Sequence, residues 1–151
     1  MLFLVNGLNH LVIWTEKLII KSHLVGTIPK EVGRVINLKT LDLRFNQLTG
    51  TIPTEVGNLV NLEELLLWSN DLTGSIPSEI KHCSNLKALA LGHNNLEGAI
   101  PSEVFSLDQL VFVWLSENKL NGTISTNINQ LKNINQREYI CFPYLYDIIK
   151  G

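Results

Sequence analysis

Apolar residues in this chain recur in a pattern 24 positions long. Leu38, Leu41, Leu43, Leu48, Ile52, Val56 and Leu59 mark one unit. Leu62, Leu65, Leu67, Leu72, Ile76, Ile80 and Cys83 fill the same slots in the next, and Leu86, Leu89, Leu91, Leu96, Ile100, Val104 and Leu107 in the one after. A fixed period of this length marks a solenoid of stacked units rather than a single irregular core. Within a unit, Leu41 and Leu43 alternate with polar or variable neighbours, as do Leu65 and Leu67, Leu89 and Leu91, and Val113 and Leu115. That is the period of a half-buried strand. One short strand per unit, stacked in register, predicts a parallel sheet.

Between strands the pattern is equally regular. Leu-Thr-Gly-Thr-Ile-Pro at 48–53 returns as Leu-Thr-Gly-Ser-Ile-Pro at 72–77 and Leu-Glu-Gly-Ala-Ile-Pro at 96–101, is preceded by Leu-Val-Gly-Thr-Ile-Pro at 24–29, and fades to Leu-Asn-Gly-Thr-Ile-Ser at 120–125. Glycine fills one slot throughout, at Gly26, Gly50, Gly74, Gly98 and Gly122, which predicts positive φ or close backbone approach. Pro29, Pro53, Pro77 and Pro101 follow and fix φ where a short helical or 3₁₀ turn starts.

Two polar ladders accompany the frame. Asn46, Asn70, Asn94 and Asn118 share a slot just past each strand. A side-chain amide there can satisfy backbone groups as the chain turns and tie neighbouring turns together. A row of amides reading a ligand is the alternative; buried turns need partners, so the structural role is favoured. Glu31, Glu55, Glu79 and Glu103 form the second ladder. Carboxylates suit the first turn of a helix, which weighs against a cation site. Cys83 stands where other units place Leu59 and Leu107, so it reads as a small core residue rather than a nucleophile.

The frame Leu-x-x-Leu-x-Leu-x-x-Asn-x-Leu-x-Gly-x-Ile-Pro resembles the plant-type leucine-rich repeat, strongly from Leu24 to about Asn133. The resemblance implies an α/β solenoid, a curved right-handed stack. Its parallel sheet would line the concave face and short 3₁₀ or helical turns the convex side. It also implies kinship with receptor-like kinase and receptor-like protein ectodomains. The repeats divide as a partial unit 1–13, a degenerate unit 14–37, full units 38–61, 62–85, 86–109 and 110–133, and an irregular cap or tail 134–151. In the degenerate unit Lys17 occupies a leucine slot and Ser22 the asparagine slot, unless the register slips by one. After Asn133, Arg137 and Tyr139 fall in strand-core slots. The ragged ends, and the lack of the paired-cysteine cap usual in extracellular members, suggest part of a longer array. Uncapped solenoid ends are also prone to edge-to-edge association.

Residues between the strand leucines face outward on the sheet. One outward column runs Leu18, Asp42, Leu66, Ala90 and Trp114; the next runs Ile20, Arg44, Trp68, Gly92 and Ser116. Beyond it lie Lys21, Phe45, Ser69, His93 and Glu117; on the other side lie Glu16, Thr40, Glu64, Ala88 and Phe112. Exposed aromatics anchor interfaces, so Phe45, Trp68 and Trp114 are the candidate ligand contacts. Arg44, Asp42, Glu64 and His93 are candidates for polar specificity. Alternatively the aromatics stack on one another and merely cover the sheet.

The remaining composition narrows the function. Twelve basic and fourteen acidic side chains leave a charge of −2, with no basic stripe for nucleic acid and no polybasic membrane patch. No apolar run approaches the roughly 18 residues that span a bilayer. His10, His23, His82 and His93 show no metal-ligand spacing, and no nucleophile elbow or phosphate loop occurs. No catalytic residue, metal or cofactor is expected. The expected partner is a protein or peptide, or a glycan, bound by a non-catalytic module; the alternative is a structural piece that binds nothing alone. Asn121-Gly122-Thr123 is a glycosylation sequon. Family resemblance suggests an extracellular or cell-surface location, with the cytoplasm as the alternative.

Overall fold

The alternation of Leu41 with Leu43, and its copies, builds the element it predicts. The computed structural model describes residues 16–20, 23–122 and, for the backbone alone, 140–141. Six strands form one parallel sheet: β1 (Lys17–Ile19), β3 (Thr40–Asp42), β5 (Glu64–Leu66), β7 (Ala88–Ala90), β9 (Phe112–Trp114) and β11 (Ile140–Cys141), in that spatial order. Leu41 pairs with Leu65, Leu65 with Leu89, and Leu89 with Val113. All four are fully buried. A one-residue slip in any strand would turn these leucines to water, so the register is firmly specified.

Leaving the sheet, the chain makes a second, shorter run of ladder: β2 (Val25–Thr27) with β4 (Gln47–Thr49), and β6 (Thr73–Gly74), β8 (Asn95–Gly98) and β10 (Lys119–Leu120) with one another. It then enters a 3₁₀ turn. These turns cover Lys30–Arg34, Thr54–Asn58, Ser78–His82 and Ser102–Ser106. Each follows directly on a proline of the ladder, whose extended backbone, with φ from −74° to −58°, lifts the chain into the turn. The glycines of the Ile-Pro turns take the positive φ expected of them; Gly50 and Gly74 sit at 74° and 73°.

The asparagine ladder works as backbone support. Asn70 Oδ1 accepts the Leu48 N–H at 3.0 Å, and its Nδ2 donates to the Leu43 and Leu67 carbonyls at 3.0 Å each. Asn94 repeats the pattern one unit on, and Asn46 one unit back. Each amide thus joins its own turn to the preceding unit. A second amide row was not evident from the sequence frame. Asn61 Nδ2 donates to the Ile36 carbonyl and Asn85 Nδ2 to that of Val60, at 2.9 and 3.0 Å. These bonds stitch the units together a second time, away from the sheet.

Two registers differ from the 24-residue expectation. Leu18 pairs with Leu41 and is buried, so it belongs to the core and not to an outward column; Ile19 takes the outward place, opposite Asp42. The cause is turn length. Three residues separate Ile20 from Leu24, whereas four separate Leu43 from Leu48. At the other end, Ile140 pairs with Val113 and Cys141 with Trp114, three positions later than the frame places Arg137. The stretch 134–151 therefore includes a strand that extends the sheet, rather than only irregular chain. The expectations for Lys21, Ser22, Arg137, Tyr139 and the partial unit 1–13 lie outside the described residues.

Among the described residues, thirty apolar side chains form one continuous core along the stack. Cys83 is among them, fully buried, with its Sγ donating to the Val56 carbonyl at 3.4 Å. Burial pushes its thiol up to about 11, since a thiolate there would lose its water. The carboxylate ladder is half-buried. Glu55, Glu79 and Glu103 accept hydrogen bonds from the neighbouring hydroxyls of Thr54, Ser78 and Ser102.

Candidate functional site

The sheet's outer face carries the aromatic residues singled out above, and the fold brings them into one stripe. Phe45 and Trp68 meet edge to face, ring centroids 4.0 Å apart and planes at 64°. Trp68 and Trp114 are 5.0 Å apart at 45°. His93 meets Trp114 edge-on at 5.6 Å and 89°. Phe45 remains 57% exposed and both tryptophans are half-buried, so the stripe is self-packed yet open to solvent.

Backbone conformation places part of it. Phe45, Ser69, His93 and Glu117 each have φ between 51° and 60°. A left-handed non-glycine residue costs about 1 kcal/mol or more. The recurrence of this conformation just before each ladder asparagine shows how it is held. In Asn94, for example, Nδ2 donates back across the bend to the Leu91 and Gly92 carbonyls that precede it, at 3.0 and 3.2 Å. The bend sets Phe45 and His93 at the rim of the sheet.

Small residues complete the stripe. Trp114 and Trp68 rise from strands separated by β7, about 9.6 Å apart by ordinary sheet spacing, yet their rings meet. Ala90 on that strand and Gly92 just past it are both buried, and Gly92 lies against the Trp114 indole. Trp114 Nε1 donates to Ser116 Oγ, which fixes the ring's orientation. In the repeat frame Ala90, Gly92 and Ser116 are no more than members of outward columns. The usable signal was their small size beside a tryptophan on the neighbouring strand.

The polar candidates divide. Asp42 is 2% exposed, so the expectation that it offers polar contacts to a ligand is corrected: the carboxylate is covered. Its Oδ1 stands 3.0 Å from Arg44 Nε and accepts the Arg44 backbone N–H at 3.3 Å. Arg44 in turn lies over Trp68, its guanidinium carbon 5.9 Å from the ring, within range of a cation–π attraction. Asp42 thus holds Arg44 against the stripe. Glu64 is exposed and accepts the Thr40 hydroxyl at 3.1 Å, away from the aromatics. His93 is exposed beside Trp114, and Asn121 is exposed just past β10. A groove of about 520 Å³ lies elsewhere, on the flank, lined by Thr51, Ser75, Ile76, Pro77, Glu79 and Pro101. It shares no residue with the stripe.

Among the described residues no cluster of three or more metal-ligating side chains occurs, and no helix is long and apolar enough to cross a membrane. What the face offers is a contact surface: fixed rings, one held guanidinium and a polar rim.

Sequence profiles of the leucine-rich repeat match residues 60–120 and 37–59, together more than half of the chain. The protein belongs to the leucine-rich repeat family. Among solved structures it is similar to a plant peptide hormone receptor, RGFR1, determined in complex with RGF2: 36% identity, 78% of this chain and 19% of that one, TM-score 0.77. The TDR receptor is similar at 38% identity over 77% of this chain and 20% of that one, TM-score 0.75. The BIR3–SERK2 complex from Arabidopsis thaliana is similar at 41% identity over 69% of this chain and 56% of that one, TM-score 0.66. The chain spans about a fifth of the length of the first two. Comparison with curated protein sequences gives no match. The fold is that of plant leucine-rich repeat receptor ectodomains.

Proposed function

We propose that this chain is a non-catalytic recognition module that binds a protein or peptide on its concave face. The observation that carries this reading is the aromatic stripe Phe45–Trp68–Trp114, packed ring against ring yet open to solvent. Preformed aromatic surfaces bind at low entropic cost, because little side-chain freedom remains to be lost. Arg44, fixed by Asp42, and His93 and Glu64 at the margins supply polar selectivity. RGFR1 was determined with RGF2 bound and the BIR3 structure with SERK2, which supports a peptide or partner ectodomain as the ligand class. In this reading the module works outside the cell or at its surface, as part of a signalling receptor. Asn121 then carries a glycan.

The test is capture of partners from an extract by the wild-type chain and by Trp68→Ala with Trp114→Ala. Loss of a specific partner with the double substitution is expected. Equal recovery of every partner by both forms would remove the concave face from the proposal. Secretion from a eukaryotic host, with a mass shift abolished by Asn121→Gln, tests the glycan.

A further inference from the structure

Among the described strands, β7 alone presents only small outward residues, Ala88, Ala90 and then Gly92. That gap has a geometric consequence. A Cβ built on Gly92 would lie 2.8 Å from both Cε2 and Nε1 of Trp114 and 3.1 Å from its Cδ2. Such distances are below van der Waals contact, so any side chain at 92 displaces the indole. No positive φ demands glycine here, since Gly92 is absent from the left-handed residues. The backbone needs no glycine; the tryptophan does. Gly92 is also unlike Gly33 and Gly57, whose missing Cβ atoms make room for backbone, the Glu55 and Glu79 carbonyls at 2.5 Å.

We propose that Gly92 is the specificity-determining position of the concave face. Lacking a side chain, it lets Trp114 fold across β7 onto Trp68. This joins two separate indoles into one aromatic shelf that seats a bulky apolar side chain of a peptide. The inference rests on the concave-face reading above and names the chemistry of the ligand. Two features favour an inserted side chain over a sugar. The rings are tilted by 64° and 45° from one to the next, which makes a corrugated surface; a pyranose needs a flat aromatic platform. The Trp114 N–H is already committed to Ser116, so this ring offers a π-face and no donor for a sugar hydroxyl. With centroids 5.0 Å apart the indoles already touch, and their 45° tilt leaves a ridged apolar surface above them that a leucine or phenylalanine side chain covers by apolar contact.

The test has a readout that needs no ligand. Two indoles at 5.0 Å couple their excited states and give a paired band in the circular dichroism spectrum. Gly92→Ala is expected to abolish that couplet while the far-ultraviolet signal of the sheet persists. In a double-substitution cycle, Gly92→Ala lowers Tm in the wild-type background. It leaves Tm unchanged or raises it in a Trp114→Ala background, where the clash is gone and a strand glycine has been replaced. Equal shifts in both backgrounds, or an unchanged couplet, would overturn the geometric claim.

Ligand class is read from the Trp68 and Trp114 indole N–H resonances. The probes are the blocked pentapeptides Gly-Gly-Phe-Gly-Gly and Gly-Gly-Asp-Gly-Gly, and cellohexaose. Saturable shifts with the phenylalanine peptide, at least tenfold weakened by Gly92→Ala, are expected. Stronger binding of cellohexaose or of the aspartate peptide would overturn the apolar-side-chain assignment and leave the concave-face reading standing. If no probe moves either indole, and partner capture also survives Trp68→Ala with Trp114→Ala, both readings fail together.

Discussion

Removing one ladder amide should cost far more than its single side chain suggests, and Asn70→Ala measures this. Asn70 makes three hydrogen bonds, but its partners are not equally dependent on it. The Leu43 carbonyl also receives Asn46 Nδ2 at 2.8 Å, and the Leu67 carbonyl receives Asn94 Nδ2 at 3.1 Å. Both keep a donor after the substitution. The Leu48 N–H has Asn70 Oδ1 as its acceptor at 3.0 Å in a buried setting, and it is left unpaired. An orphaned buried N–H costs about 1–3 kcal/mol and each further lost bond about 0.5–1.5 kcal/mol, so the total is about 2–6 kcal/mol. Asn70→Asp should be worse at neutral pH. It retains an acceptor for Leu48 but loses both donors and sets a carboxylate against two carbonyl oxygens. Burial among acceptors raises the new acid's folded pKa above its unfolded value, so the penalty grows as pH rises and eases as pH falls. Urea unfolding followed by far-ultraviolet circular dichroism gives the size, and hydrogen exchange at the Leu48 amide gives the location. Asn61→Ala, which loses one exposed-flank bond to Ile36, is the control and should cost about 1 kcal/mol or less. If Asn70→Ala costs no more than Asn61→Ala, the ladder does not hold the turns and the reasoning fails.

Four further outcomes are expected. Leu67→Ala, at a fully buried position, should cost about 2–5 kcal/mol, whereas Leu66→Ala, half-exposed on the outer face, should cost under about 1 kcal/mol; the reverse order by denaturant melts would put the strand register off by one. Gly57→Ala should destabilise by about 1–3 kcal/mol, because its Cβ would lie 2.5 Å from the Glu79 carbonyl oxygen; a stabilised variant would show that the two turns can separate freely. Cys83 should resist alkylation in the native state and react at once in urea. With its thiol raised to about 11 from 9.0, its contribution to stability is complete below pH 9 and is lost as pH climbs through 11, a dependence that Cys83→Ala should remove. The Lys87 ammonium, 2.6 Å away, holds the Glu63 carboxyl below its usual range. The pair's support is present above the ordinary carboxylate pKa and fades as pH falls through the lowered one; Lys87→Met should return the Glu63 titration, followed by NMR, toward 4.5.

Much of this fold was legible in the chain because each slot answers to a local cause. Leu41 and Leu43 face inward because strand residues alternate. Gly50 and Gly74 mark the Ile-Pro turns because they adopt positive φ. Asn70 fills its slot because a bend leaves backbone groups to be satisfied. The slot after Val32, Val56, Ile80 and Val104 shows the boundary of that logic. It holds Gly33, Gly57, Lys81 and Phe105, which look interchangeable in a frame. In the structure the glycines press against backbone, Lys81 is exposed, and Phe105 is among the largest fully buried side chains. Only the distance between successive turns separates these cases. The covered Asp42 and the inward Leu18 depart from the frame for a similar reason. A column assigns the face of a strand but not what its neighbours lay over it, and one residue missing from a turn shifts everything before it.

The sequence by itself determined the repeat, the sheet, the inward slots and the short list of outward aromatics, since all of these follow from periodicity along one chain. Tertiary structure alone decided that the aromatics join. Whether Trp114 stands upright or folds across β7 depends on the empty volume at Gly92, and that volume belongs to a strand 22 residues earlier in the chain. Backbone slots are set by local hydrogen bonding and burial. Side-chain poses on an open face are set by what their spatial neighbours leave free.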